Sequence, residues 1–220
     1  MMCDSNEMKG VLFDLDGTLL DTYKLLVRSF HHAVQDVLGH DESMERFDAT
    51  IGRPLAQQMS EYSDDSRVVE RLLASYRAYN QLIERESIRE FPGIYDALAQ
   101  LQQAGWLMGV VTSKLHEPAS RNLDIFGLNS FFDCIVGADD VRRPKPDAEP
   151  IVVGAHALDL QPHECFYVGD SPYDMQAGNA AGSMTVAVAW GQHPMGALRE
   201  QNPCLECAAP SDLPAVLKGR

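Results

Sequence analysis

Val11-Leu12-Phe13-Asp14-Leu15-Asp16-Gly17-Thr18-Leu19-Leu20-Asp21-Thr22 is the stretch on which the fold turns. It opens as a short apolar run, the pattern of a strand buried on both faces. Two carboxylates two positions apart follow, then Gly and Thr. Alternate residues of an extended chain point the same way, so Asp14 and Asp16 converge on one small volume at the strand end. Two carboxylates that close repel unless something positive lies between them. A hard divalent cation with oxygen ligands, Mg²⁺ above all, answers that need. Gly17 lets the backbone turn and approach a ligand without a Cβ in the way. An Asp-Gly hairpin leaves the wholly apolar lead-in and the helical continuation unexplained. A calcium loop needs oxygen ligands at its first, third and fifth positions and Gly at the sixth. Counted from Asp14, the last two are Thr18 and Leu19, which excludes it.

Beyond this stretch, Thr22 to Leu38 carries Leu25, Leu26, Phe30, Ala33, Val34, Val37 and Leu38 at helical spacing, with Gly39 as the stop. A short helix over 41–51 is expected next. A third follows over 55–62, with Pro54 in its first turn, and a long amphipathic helix over 66–86. No strand signal appears between Thr22 and Glu90. Residues 21–89 therefore read as a helical domain inserted after the first strand. Phe91-Pro92-Gly93 marks the return, after which helix and strand alternate. Helices are expected over 94–104, 117–126, 149–158 and 174–181, and strands over 106–112, 134–136, 165–168 and 185–189. That alternation predicts a parallel sheet wrapped by helices, an α/β core built from residues 1–20 and 90–220. From His193 on the pattern is less regular, with a final short helix over 211–217.

With 220 residues, 45% of them hydrophobic, the chain is long enough for a core domain plus a smaller one. Its net charge of −14 argues against nonspecific nucleic-acid binding, which depends on Lys and Arg. A phosphorylated ligand must be attracted by a metal and a few local cations. Residues 1–9 lack a basic n-region and an apolar h-region, so no signal peptide is expected. No run approaches a membrane span, and a cytoplasmic protein is the expectation. Of five cysteines, Cys134 and Cys165 lie in apolar strand-like runs and read as core residues. Cys204-x-x-Cys207 has the spacing of half a zinc site or a redox pair, but no second Cys or His pair has matching spacing, and Cys3 falls in the N-terminal segment.

In such sheets ligands sit at the carboxyl ends of the strands, so polar residues just past those ends matter most. Thr112-Ser113-Lys114 follows one strand, and a hydroxyl there can donate to a phosphoryl oxygen beside a helix N-terminus. Serving as a helix cap is the alternative for Thr112. Lys145 stands between Pro144 and Pro146, with its backbone held on both sides. Gly169-Asp170-Ser171-Pro172-Tyr173-Asp174 adds two carboxylates at another strand-to-helix turn, where Asp170 could also serve as an N-cap.

Together, in order and in approximate spacing, these four segments resemble the motifs of the haloacid dehalogenase-like (HAD) phosphohydrolases. The helical insert is similar to the cap of the phosphoglycolate phosphatase and β-phosphoglucomutase-like branch. The resemblance implies a Rossmann-like parallel-sheet core with an inserted α-helical cap. It assigns Asp14 as nucleophile, Asp16 as general acid and base, and Thr112 and Lys145 as partners of the phosphoryl oxygens. Gly17, Thr18 and Ser113 fall to substrate binding. Mg²⁺ is implied at Asp14, Asp170 and the backbone carbonyl of Asp16, with Asp174 orienting its surroundings. Arg53, in Ile51-Gly52-Arg53-Pro54-Leu55, is the candidate for touching the non-phosphoryl part of the substrate, against the alternative of an ordinary surface arginine.

Dehalogenases of this superfamily typically lack an acid at the Asp16 position, because a departing halide needs no proton. The expectation is therefore a Mg²⁺-dependent phosphatase for a small phosphorylated metabolite, monomeric or homodimeric, with no nucleic-acid or membrane partner. Ser75-Tyr76-Arg77-Ala78-Tyr79-Asn80 and Asp139-Asp140-Val141 are similar to HAD-type inorganic pyrophosphatases, which keeps pyrophosphate as an alternative substrate. A phosphosugar mutase is the second alternative. A non-catalytic phosphate-metabolite sensor is the third, and it has no use for Asp16.

Overall fold

A computed structural model describes residues 9–48 and 50–219. Cys3, and the segment read for a signal peptide up to residue 8, lie outside the described residues. The chain divides into two compact units, one of residues up to Leu20 with Glu90 onward, the other Asp21–Arg89.

In chain order the strands are β1 (Gly10–Phe13), β2 (Leu20–Asp21), β3 (Arg89–Glu90), β4 (Leu107–Val111), β5 (Cys134–Val136), β6 (Cys165–Gly169), β7 (Met184–Val188) and β8 (Leu205–Cys207). The helices are α1 (Tyr23–Leu38), α2 (Met44–Asp48), α3 (Leu55–Ser60), α4 (Ser66–Ser87), α5 (Ile94–Gln103), α6 (His116–Ile125), α7 (Glu149–Ala157), α8 (Pro172–Ala181), α9 (Met195–Arg199) and α10 (Leu213–Lys218).

In the first unit, six strands pair in the order β5-β4-β1-β6-β7-β8, every neighbour parallel. This is the α/β sheet expected from the sequence. β1 lies in the middle: the chain first builds β4 and β5 on one side of it, then returns to lay β6, β7 and β8 on the other. Every residue of β1, β6 and β7 is buried, which explains why these strands read as unbroken apolar runs instead of alternating ones. One layer of core joins Leu12 and Val111 to Ile151, Ala155, Leu158 and Tyr167. Cys165 is buried as expected, whereas Cys134 is only half-buried, with its thiol toward Gly154 O.

Three strands were not foreseen. β2 and β3 form a separate two-stranded ribbon at the two places where the chain passes between units. β8, in the tail expected to be irregular, pairs with β7. Two- and three-residue strands are too short to show a period, and β8 is a half-exposed edge. α9 escapes notice for the same reason, being five residues long.

The second unit is helical. Phe30, Ala33, Val34, Phe47, Ile51, Met59, Leu72 and Tyr76 form its core, the inward stripe that the helical spacing of α1 and α4 predicts. The short second helix covers only Met44–Asp48 of the expected 41–51. Gly39 ends α1 by donating its N–H to Gln35 O, and Pro54 is the residue just before α3. Among the described residues, no helix is long and apolar enough to cross a membrane.

Candidate active site

The site stands at the carboxyl ends of β1, β4 and β6, where the build order of the sheet reverses. Asp14 directly follows β1 and donates its N–H to Val168 O, 2.9 Å away in β6. It is only 7% exposed. Asp14, Asp170 and Asp174 each offer a carboxylate oxygen to one volume, the three atoms lying within 4.8 Å of one another.

Lys145 is the cation of this cluster. Its Nζ donates to Asp14 Oδ1 at 2.8 Å, Asp174 Oδ1 at 2.6 Å and Tyr167 Oη at 3.0 Å, which uses all three ammonium donors. Burial pulls its pKa down, but the charges of Asp14 and Asp174 outweigh that and hold it well above its ordinary value. Tyr167 stands in β6 with its hydroxyl 3.1 Å from Val111 O and 2.9 Å from Asp174 Oδ1, tying β4, β6 and α8 together beneath Lys145.

Asp174 is already fully engaged. Lys145 and Tyr167 donate to its Oδ1; Ser171 N–H and Oγ–H donate to its Oδ2 at 3.0 and 2.6 Å. Ser171 is the cap of α8 and forms a capping box with Asp174, so Asp170 is free of that duty. Burial pushes the Asp174 carboxyl up, but Lys145 and these hydrogen bonds overcome it, and the pKa lies below its usual value.

Asp170 and Asp14 go the other way. Burial first, then the charges of Asp174 and Asp14, drive Asp170 well above the ordinary carboxylate range. Burial also lifts Asp14, against the pull of Lys145, to about 7. One lysine does not neutralise three buried carboxylates, and hard oxygen donors in excess of local positive charge suit a Mg²⁺-like ion. The residues present therefore fit the cation that the sequence implied. Asp14 and Asp170 retain accepting capacity for it, while Asp174 steadies the group around it.

The loop after β7 shapes this corner. Gln192 N–H donates to Asp170 Oδ2 at 2.7 Å, and Thr18 Oγ1 donates to Asp170 Oδ1 at 3.2 Å. Trp190 Nε1 donates to Thr18 O at 2.9 Å. Gly17, at φ 86°, and Gly191 both crowd Asp170 so closely that a Cβ on either would collide with its carboxylate. At Gly17 the backbone conformation also favours glycine.

Asp16 lies apart from the three. Its Oδ1 accepts from Lys114 Nζ at 2.7 Å, so its side chain is paired with a different cation. Thr112, 4% exposed, follows β4; its Oγ1 accepts from Lys114 N–H at 3.2 Å, which leaves its own O–H to donate. It is not a helix cap, since that position before α6 is Leu115. Ser113 sits beside it in the same turn. Arg53 belongs to the helical unit, where its guanidinium pairs with Glu61 at 2.8 Å and its buried Nε has no hydrogen-bond partner.

Sequence reasoning passed over Lys114, Tyr167, Trp190 and Gln192. Tyr167 reads as a core aromatic inside an apolar strand. Lys114 had a visible signal, since it shares a turn with Thr112.

A model of the haloacid dehalogenase-like hydrolase family matches residues 11–188. The chain is similar to the pyrophosphatase PpaX of Bacillus velezensis, 36% identical over 181 residues that cover 82% of this chain and 83% of that protein. It superposes on the crystal structure of a hydrolase from Pseudomonas syringae with a TM-score of 0.86, at 25% identity, covering 96% of this chain and 99% of that one. A predicted phosphoglycolate phosphatase from Haemophilus somnus shares the fold with a TM-score of 0.83, at 24% identity, over 94% of this chain and 97% of that one. Sheet order, the carboxylate cluster around Lys145 and the family match agree: the chain belongs to the haloacid dehalogenase-like hydrolases.

Proposed function

We propose that the protein is a Mg²⁺-dependent phosphohydrolase that works through an aspartyl-phosphate on Asp14. One observation carries the reading: Asp14, Asp170 and Asp174 gather buried oxygens within 4.8 Å of each other against a single lysine. Mg²⁺ held by Asp14 and Asp170 would supply positive charge for the incoming phosphoryl oxygens.

Asp14 then attacks phosphorus in line with the leaving oxygen, splitting hydrolysis into two easier steps. The Thr112 hydroxyl faces the charge that spreads over the equatorial oxygens, and Lys145, bonded to Asp14, adds its positive charge beside the nucleophile; positioning and electrostatics supply most of the catalysis. Asp16 hands a proton to the departing oxygen and later takes one from the attacking water. The helical unit, residues 21–89, serves as the cap that selects the leaving group, with Arg53 as its contact.

Pyrophosphate is the first substrate to test, because relatives at 34–37% identity carry the name pyrophosphatase PpaX. A phosphate monoester of the phosphoglycolate kind is the second, supported by the resemblance of the Ile51–Leu55 and Asp170–Asp174 segments. The test is phosphate release from pyrophosphate, 2-phosphoglycolate, hexose phosphates and p-nitrophenyl phosphate, with Mg²⁺ and with EDTA. Mg²⁺-dependent release that Asp14→Asn abolishes is expected. Absence of release from all four would overturn the reading, and rapid sugar-phosphate isomerisation in its place would favour a mutase.

A further inference from the structure

We propose that Lys114 is the positioning residue for the proton-transfer carboxylate Asp16, an inference that rests on the phosphohydrolase reading above. Lys114 Nζ lies 2.7 Å from Asp16 Oδ1 and 2.9 Å from Asn122 Oδ1. Its side chain is 10% exposed and that of Asp16 is 20% exposed, and Asn122, on α6, is fully buried. A lysine with nothing to hold it keeps its ammonium in water. This one has been drawn inward, and Asn122 fixes where the ammonium sits. Asn122, Lys114 and Asp16 thus form a strut from α6 to the loop after β1.

The division of labour between the two lysines follows from their partners. Lys145 is saturated by Asp14, Asp174 and Tyr167 and serves the nucleophile. Lys114 serves the proton carrier. A charge-assisted bond to Oδ1 locks the carboxylate rotamer more firmly than a neutral one does and leaves Oδ2 to carry the proton. In the first half-reaction the bond between Asp14 and phosphorus forms while the ester P–O bond breaks. That bond's electron pair stays on the leaving oxygen, which takes the Oδ2 proton. In the second half-reaction a water oxygen bonds to phosphorus and the acyl-phosphate P–O bond breaks, restoring the Asp14 carboxylate. The water proton goes to Asp16 Oδ2, which returns the site to its starting state with no further reactant.

A group that works through a general acid matters most where the leaving group is poor. The experiment measures kcat/KM for a graded series of esters, from dinitrophenyl phosphate to phenyl phosphate and an alkyl phosphate, in wild type, Lys114→Met, Asp16→Asn and the double variant. Lys114→Met should lose roughly tenfold or more on the alkyl ester and no more than about twofold on the dinitrophenyl ester. In the Asp16→Asn background it should add nothing. Should Lys114→Met fail to fold by circular dichroism, Lys114→Gln, which keeps a polar end for Asn122, carries the same comparison. An equal loss across the series, no loss at all, or an additive loss in the double variant overturns the proposal. If the wild type is active and Asp14→Asn silences it, such a result sinks the Lys114 role alone. A wild type inactive on every ester sinks the phosphohydrolase reading, and the Lys114 role with it.

Discussion

Lys145 holds two buried carboxylates, and its loss should be felt in stability as well as activity. A buried ion pair contributes little net energy compared with an apolar replacement, but breaking one half leaves an uncompensated charge. Lys145→Met strands Asp14 and Asp174 together, both buried. The expected cost is roughly 3–5 kcal/mol at neutral pH, read by urea denaturation, and Mg²⁺ should restore part of it. An unchanged denaturation midpoint would show that the lysine is not compensating those charges. Much of the chemistry at this scale is legible from sequence because polar side chains directly after apolar runs stand out. Asp14, Asp16, Thr112 and Asp170 do so at the ends of such runs, while Lys145 stands out by the prolines on both sides of it. What hides is the partner. Asp16 and Lys114 are 98 positions apart, and no local pattern announces a pairing that only the sheet order creates. Tyr167 hides differently, because its ring reads as core and only the folded chain reveals where its hydroxyl ends.

At the scale of elements, the site depends on loops that follow parallel strands. The turn after β7 presses Gly191 against Asp170 while Gln192 N–H holds the same carboxylate. Gly191→Ala should displace Asp170 without unfolding β7. Outer partners of a metal ligand typically govern affinity by roughly 10–100-fold, so the Mg²⁺ concentration for half-maximal activity should rise by that order. An unchanged Mg²⁺ titration would remove Asp170 from the proposed cation site. Long elements such as α1, α4, β4 and β6 are readable because burial imposes a period of 3.6 residues or a continuous apolar run. β2, β3 and β8 are created by pairing alone, over two or three residues each. In the helical unit, Leu72 is fully buried among Phe30, Met59 and their neighbours. Leu72→Ala should cost about 2–5 kcal/mol, visible as a lower thermal midpoint. A shift near zero would mean that this core is loosely packed.

Across the whole molecule, a net charge of −14 repels phosphate esters, so capture rests on the few cations gathered at the sheet's carboxyl edge. The divalent metal proposed for this site should act on stability too. Ligand at a hundredfold excess over its Kd adds about 2.7 kcal/mol, which for a chain of this size raises Tm by roughly 5–10 °C. The increment should be present at pH 8 and shrink toward pH 5. Asp14 titrates near 7 and Asp170 is also raised, and protons compete for the oxygens that the metal needs. A Mg²⁺-induced shift of equal size at both pH values would contradict this account of the cluster.

In the proposed mechanism the phosphoryl group spends part of each turnover on Asp14. An acyl phosphate is reduced by borohydride, whereas a carboxylate is not, so quenching turnover with borohydride and mapping the peptides by mass spectrometry locates it. The prediction is conversion of Asp14 to homoserine, only when pyrophosphate or a phosphate ester and Mg²⁺ are both present. Vigorous phosphate release with Asp14 unmodified, or with the label on another residue, would contradict it.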